Sequence, residues 1–211
     1  EVARLLISRD GIDPVLAGQV AAESQSHIGM ARRLATSHEA RSRRRETLLA
    51  ALSINGVTSA VNTAERWLDI AKKDAEALTT ERDLEERNAA LRTMGLQPGD
   101  PIPNNMKSDL KALEEAQKRR ATRSLRDGID RILVDLLSLY RDVLTLQINA
   151  QTPLINAELL SQITEAAQLT TPAQTIEKLE AIAKARLRID RNVRDLMVLE
   201  SLGVSLRIKR G

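Results

Sequence analysis

The sequence predicts an all-α fold, with three short helices followed by a helical bundle that carries a long charged helical hairpin. Three observations lead there. Within residues 118–147, KRRATRSLRDGIDRILVDLLSLYRDVLTLQ, apolar side chains fall at Ile129, Ile132, Leu133, Leu136, Leu137, Tyr140, Val143 and Leu144. That is helical i, i+3, i+4, i+7 spacing held for more than four turns, a continuous stripe that other elements must cover. Trp67 and Tyr140 are the only aromatic residues, so aliphatic side chains must fill the interior, which suits helix-on-helix packing better than a β-sandwich. Finally, 42% apolar content in 211 residues is enough for a core, in one large domain or two small ones.

Composition excludes several functions. With 32 basic against 29 acidic residues the net charge is only +3, too small by itself to demand nucleic acid. There is no cysteine, which rules out disulfides and thiolate zinc sites and leaves a reducing cytosol as the plain expectation. No apolar run approaches the ~20 residues of a membrane span, and no signal peptide is visible. The chain opens at Glu1 in mid-helix pattern without an initiator Met, and it reads as a piece of a longer protein.

EVARLLISR predicts a short first helix, stopped by Asp10 and Gly11. Asp13-Pro14 restarts the chain, an N-cap residue followed by Pro at the first helical position. This second helix carries Val15, Leu16, Val20 and Ala21 and ends near Ser24; a third begins at His27 or Ile28. Glu39 to Leu52 is basic first and then apolar. Its Arg41, Arg43, Arg44 and Arg45 fit either a contact with a nucleic-acid backbone or a solvated connector. Residues 1–45 are assigned to a three-helix domain and 46–211 to the bundle, with the Asn55-Gly56 turn marking the boundary to within several residues.

Val57 to Gly95 is one long helical pattern, striped at Val61, Ala64, Trp67, Leu68, Ala71 and Ala75 and then mostly charged, with Leu84, Leu91 and Met94 thinly spaced. LQPGDPIPNN, with three prolines, is the clearest break. Met106 to Arg126 returns to charged helix, with Leu110 and Leu113 its few apolar residues. Residues 76–126 therefore read as an antiparallel hairpin projecting from the body. After the organising helix comes a short loop, Gln151 to Asn156, where Asn156 is placed to cap a helix from Ala157 to Gln168. Thr171-Pro172 starts the next helix, striped at Ile176, Leu179, Ile182 and Ala183. No tight break is evident near Arg191-Asn192, and the last segment is NVRDLMVLESLGVSLRIKR.

Nothing in the sequence assembles a catalytic or metal centre. Glu23 and His27 are four apart and His38 precedes Glu39, but isolated histidines without a carboxylate cluster make poor ligands. No Ser or Thr is paired with a base, and no Gly-rich phosphate loop occurs. Glu85-Glu86 and Glu114-Glu115 sit among Lys and Arg at i+3 and i+4 spacing, the pattern of an exposed salt-laced face. No cofactor is expected. The strongest electrostatic candidate is the KRRATR run, in which Lys118, Arg119, Arg120 and Arg123 would contact phosphate in a salt-sensitive manner, or else form a solvated helix arm.

Three stretches taken in order resemble one family, the delta-prime subunits of bacterial DNA polymerase III clamp loaders, in the lid and collar that follow their ATPase-like domain. Ser26-His27-Ile28-Gly29-Met30-Ala31-Arg32 is similar to a sensor-2 segment of the AAA+ lid, with Gly29 where the sensor arginine would stand and Arg32 and Arg33 too late to replace it. SLYRDVL resembles the collar, and the Asn-Val opening and Leu-Glu-x-Leu centre of the last segment resemble its C-terminal helix. KRRATR and the hairpin resemble an insertion in actinobacterial members. The resemblance implies a subunit that does not hydrolyse ATP and closes one end of a pentameric ring. Other loader subunits would be its partners, DNA would be met through the assembled complex, and the setting would be the cytoplasmic, nucleoid-associated replisome, with no membrane.

The resemblance makes the last helix the place to seek an assembly surface. At about 100° per residue, Val193, Leu196, Met197 and Val204 cluster on one side, with Glu200 among them; Leu199, Leu202 and Leu206 form a second cluster beside Asp195. A helix that only closes a bundle needs one stripe, so Leu199, Leu202 and Leu206 are expected to pack against a neighbouring subunit. Two other classes fit the same composition, a nucleic-acid-binding module acting through the basic arm and a self-associating helical scaffold.

Overall fold

The computed structural model describes residues 1–25 and 27–208, with the side chain of Asn105 also set apart. Among the described residues the regular structure is helical with no strand, an all-α fold: α1 (Val2–Asp10), α2 (Pro14–Glu23), α3 (Ile28–Thr36), α4 (His38–Leu52), α5 (Val57–Thr93), α6 (Lys107–Gln147), α7 (Leu160–Leu169), α8 (Pro172–Asp190) and α9 (Asp195–Leu206). The chain forms two compact units, Glu1–Leu68 with Arg131–Gly211, and Asp69–Asp130. This division does not coincide with the one read from sequence. Residues 1–45 share a unit with most of the bundle, and the hairpin unit is wider than 76–126 at both ends.

The local signals at the N-terminus act through their caps. Gly11 closes α1 in the left-handed region at φ 66, where a residue without Cβ carries no steric penalty. Asp13 Oδ1 accepts from the amides of Val15 (2.9 Å) and Leu16 (3.1 Å), with Pro14 at N1. His27 caps α3, its Nδ1 accepting from the Met30 amide at 3.2 Å. Leu6, Ala17, Val20, Ala31, Leu34, Ala35 and Ala40 form the core of this three-helix region. Val15, expected in the α2 stripe, is exposed. Ser26, the first residue of the sensor-like segment, lies outside the described residues, as do Lys209 and Arg210 at the end of the last segment.

In the first unit α6 is central rather than one-sided. Ile132, Leu133, Leu136, Tyr140 and Val143 are buried as the stripe predicts, while Leu137 and Leu144 are only partly covered. Leu139 is also buried, together with Ser138, Asp142 and Thr145, which apolar periodicity passes over. Trp67 on α5 is fully buried and donates its indole N–H to the Thr47 carbonyl of α4 at 3.2 Å. Between α9 and α5 the backbones nearly touch: a Cβ on Gly203 would lie 2.8 Å from the Ala60 carbonyl oxygen.

Helices α8 and α9 pack against one another after a reversal at Asn192, which takes φ 61. Val193 N–H bonds back to the Arg188 carbonyl (3.1 Å) and Asn192 N–H to that of Ile189 (3.0 Å), the paired bonds of a Schellman stop with Asn in place of Gly. Thr171 and Gln174 complete a capping box at the start of α8, with Pro172 at N1. The buried face of α8 is Thr175, Lys178, Ile182, Ala185 and Ile189; of the expected stripe Ile182 is buried, while Ile176 and Ala183 are exposed and Leu179 is only partly covered. A lysine inside that face is what conceals it from hydropathy. The Lys178 ammonium donates to the carbonyls of Leu206 and Arg207 at the end of α9 and sits 5.7 Å from the centre of the Tyr140 ring. It thus satisfies orphan helix-end carbonyls and makes a cation–π contact.

The second unit is a pair of helical segments, residues 69–93 of α5 and 107–130 of α6, linked by the Pro-rich stretch. Arg87 pairs with Glu114 (2.8 Å), and Gln117 Nε2 donates to the Asp83 carbonyl (2.9 Å). Arg120 forks between Asp83 (2.8 Å) and Glu86 (2.9 Å). Leu91 and Leu110 are the buried apolar residues toward the tip, where Gly95 ends α5 at φ 75.

Candidate assembly surface and the buried charged network

The largest group of interior polar residues centres on Arg44. Its Nε donates to Asp135 Oδ1 at 2.9 Å and its Nη2 to Asn156 Oδ1. Its Nη1 stands 3.7 Å from Glu23 and 3.6 Å from Glu158. One guanidinium thereby joins α2, α4, α6 and the turn that begins α7. The sequence reading of this basic run as a solvated connector or a backbone-phosphate contact fails for Arg44, which is buried, and for Arg41, which donates to the Leu34 and Ala35 carbonyls at the end of α3. Arg45 is exposed. The physical reason is that helix ends and buried carboxylates need donors more than solvent does.

Asn156 stands at the N-cap of the turn Ala157–Leu159, as expected, but its side chain makes no capping bond. Its side chain instead donates to Asp142 (2.9 Å) and Ser138 (3.1 Å). Asp142, fully buried, accepts from the backbone amides of Ile155 (3.1 Å) and Asn156 (2.7 Å) and from Arg141 (2.9 Å), which also reaches the Pro153 carbonyl. Desolvation dominates at Asp135: although a fifth of its side chain is exposed, loss of water outweighs Arg44 and, with Glu23 opposing ionisation, pushes its pKa up to about 6. Glu158 is raised for the same first reason. Burial likewise raises the Tyr140 phenol. Asp135, Asp142 and Asn156 hold α4, α6 and the 153–156 turn together.

The leucines expected to meet a neighbouring subunit are not exposed. Leu199, Leu202 and Leu206 are 0%, 2% and 0% exposed, buried within the chain's own core. The other side of α9 is the open one: Met197 is 58% and Val193 39% exposed, with Leu196 and Val204 between the extremes. On α8, Ile176, Leu179, Ala183 and Leu187 make an outward apolar stripe, with Ile176 at 47% and Leu187 at 56%. The sequence read part of that stripe as core because Ile182 and Ile176 looked interchangeable in hydropathy. Only the partners of Lys178 show which face turns inward.

The basic run divides. Arg120 is committed to Asp83 and Glu86, and its hydrogen bond, with that of Arg82, keeps the Glu86 carboxyl below its usual range. Lys118 reaches Glu115 at 3.2 Å along its own helix, while Arg119 and Arg123 are exposed. In the sensor-like segment Gly29 lies in the first turn of α3, and Arg32 forms a two-point ion pair with Asp10 (2.9 and 3.0 Å). Among the described residues no group of three or more His, Cys, Asp or Glu is placed to hold a metal ion, and no helix is long and apolar enough to cross a membrane. Compared with known proteins, the chain matches no family model, no curated protein and no solved structure.

Proposed function

We propose that the chain is a non-catalytic subunit of a clamp loader, of the delta-prime kind. It joins the pentameric ring through its helical bundle and helps place the sliding clamp on primed DNA in the replisome. The observation that carries this reading is where the resembling stretches fall. In SLYRDVL, Ser138, Tyr140 and Asp142 are buried, and Asp142 organises the 153–156 turn. In the final stretch, Asn192-Val193 makes the α8–α9 reversal, and Leu199 and Leu202 enter the core. The likeness thus rests on residues that determine a fold, as expected of a shared architecture rather than shared chemistry.

Assembly, rather than catalysis, is favoured by the fate of the interior charges, which are spent on one another, and by the outward apolar residues of α8 and α9. The partner surface in this account is Ile176, Leu179, Ala183 and Leu187 with Val193 and Met197. The test is retention of the chain by the remaining loader subunits in a pull-down. Wild type should be retained; Leu187→Asp/Met197→Asp, which alters only exposed positions, should fold and be lost. Failure of wild type to be retained would remove the proposal.

A further inference from the structure

The hairpin unit presents a pair of arginines that its own fold does not use. On α6 the residues that face α5 are identified by their contacts: Leu110 is buried, and Glu114, Gln117 and Arg120 bond to α5. At about 100° per residue, Arg119 and Arg123 lie on the opposite side, one turn apart. Both are exposed, and neither meets a carboxylate among the described residues. Like charges at i, i+4 weaken a helix, so the arrangement costs local stability and gains nothing from the chain itself. Beside them the Lys118 side chain is 72% exposed and pairs with Glu115 along its own helix.

We infer that Arg119 and Arg123 contact the phosphate backbone of duplex DNA. Two guanidinium forks one helical turn apart can engage neighbouring phosphates of one strand. The unit contains no aromatic residue, since Trp67 and Tyr140 both lie outside Asp69–Asp130; stacking of bases on aromatic rings is therefore not available in it, and the inferred contacts go to phosphate, which carries no sequence information. The unit is also close to neutral. Its Lys and Arg residues are 72, 73, 82, 87, 92, 107, 111, 118, 119, 120, 123 and 126, and its acids are 69, 74, 76, 81, 83, 85, 86, 100, 109, 114, 115, 127 and 130. The contact is accordingly local, set by these side chains and not by a general field. The choice of DNA over another polyanion rests on the clamp-loader reading.

The experiment uses the full chain and a short fluorescent duplex, with anisotropy followed across a salt series. Wild type should show a log–log slope of about −2, the signature of two neutralised phosphates. Arg119→Glu/Arg123→Glu should flatten the slope and weaken binding about ten-fold at low salt, with its thermal midpoint kept. Arg4→Glu/Arg9→Glu, an equal change of charge at exposed positions of α1, should bind like wild type. Equal loss in both variants, no loss in the first, or no binding by wild type would overturn the inference. Displacement by poly-glutamate as effective as by DNA would assign the pair to an acidic protein instead and overturn it too. The pull-down reads the other claim separately, because a chain retained by the loader with an unchanged DNA slope refutes the arginine pair alone.

Discussion

Removing the Arg44 guanidinium should damage the protein more than any exposed substitution. Arg44→Met keeps most of the volume and apolar stem but takes the donor from Asp135 and from the Asn156 side-chain carbonyl, and removes the cation beside Glu23, which keeps Gln19, and beside Glu158, which is exposed. At an effective dielectric of ~20, one contact at the 3.7 Å of Glu23 amounts to ~4–5 kcal/mol of gross attraction, most of which offsets desolvation. The net cost of breaking such a buried set is ~3–5 kcal/mol, a large part of a domain's ~5–15 kcal/mol. For a chain of this size that lowers the melting temperature by roughly 6–20 °C. Calorimetry at pH 7.5 measures it. The loss should shrink toward pH 4, because the stranded carboxylates can then be protonated. A midpoint within ~2 °C of wild type, or a loss independent of pH, would refute the reasoning that Arg44 joins these elements electrostatically.

Other outcomes follow from the same structure. Asp135 has a folded pKa of about 6 against an ordinary 3.8, so its contribution favours folding below that ordinary value and is lost as pH rises through 6. Asp135→Asn should remove that part of the pH dependence, gaining on wild type as pH rises through this window in thermal melts. Leu202→Ala should cost ~2–5 kcal/mol in urea unfolding, whereas Leu187→Ala should stay within ~0.5 kcal/mol; the reverse order would return the α9 leucines to a partner surface. Gly203→Ala forces a methyl against the Ala60 carbonyl and should destabilise by ~1–3 kcal/mol in the same assay.

Those features that act through neighbours in sequence were legible in it. Asp13-Pro14, Thr171-Pro172 and the Pro-rich break each specify a start or stop locally, and each does so in the structure. Salt spacing likewise marked the charged helices, and the α6 stripe pointed to its buried face. Features that depend on a distant partner were hidden. Arg44 looks like its exposed neighbour Arg45 until Asp135, 91 residues away, is placed beside it. Asn156 looks like a cap until Asp142 and Ser138 claim its amide. Two apolar sides of α9 are equivalent in hydropathy, and the choice between them was made by Gly203, whose missing side chain lets that face approach α5. Lys178 reversed the α8 assignment for a related reason: its charge meets helix-end carbonyls that no window of sequence displays.

The most direct test of the assembly claim uses the absence of cysteine, which makes any introduced thiol unique. Single variants Leu187→Cys, Met197→Cys and Leu202→Cys are labelled with a maleimide, first as free chains and then after mixing with the remaining loader subunits. The account predicts fast labelling at 187 and 197 in the free chain, strong protection of both in the complex, and slow labelling at 202 throughout. Unchanged labelling of 187 and 197 in an assembled complex would contradict it.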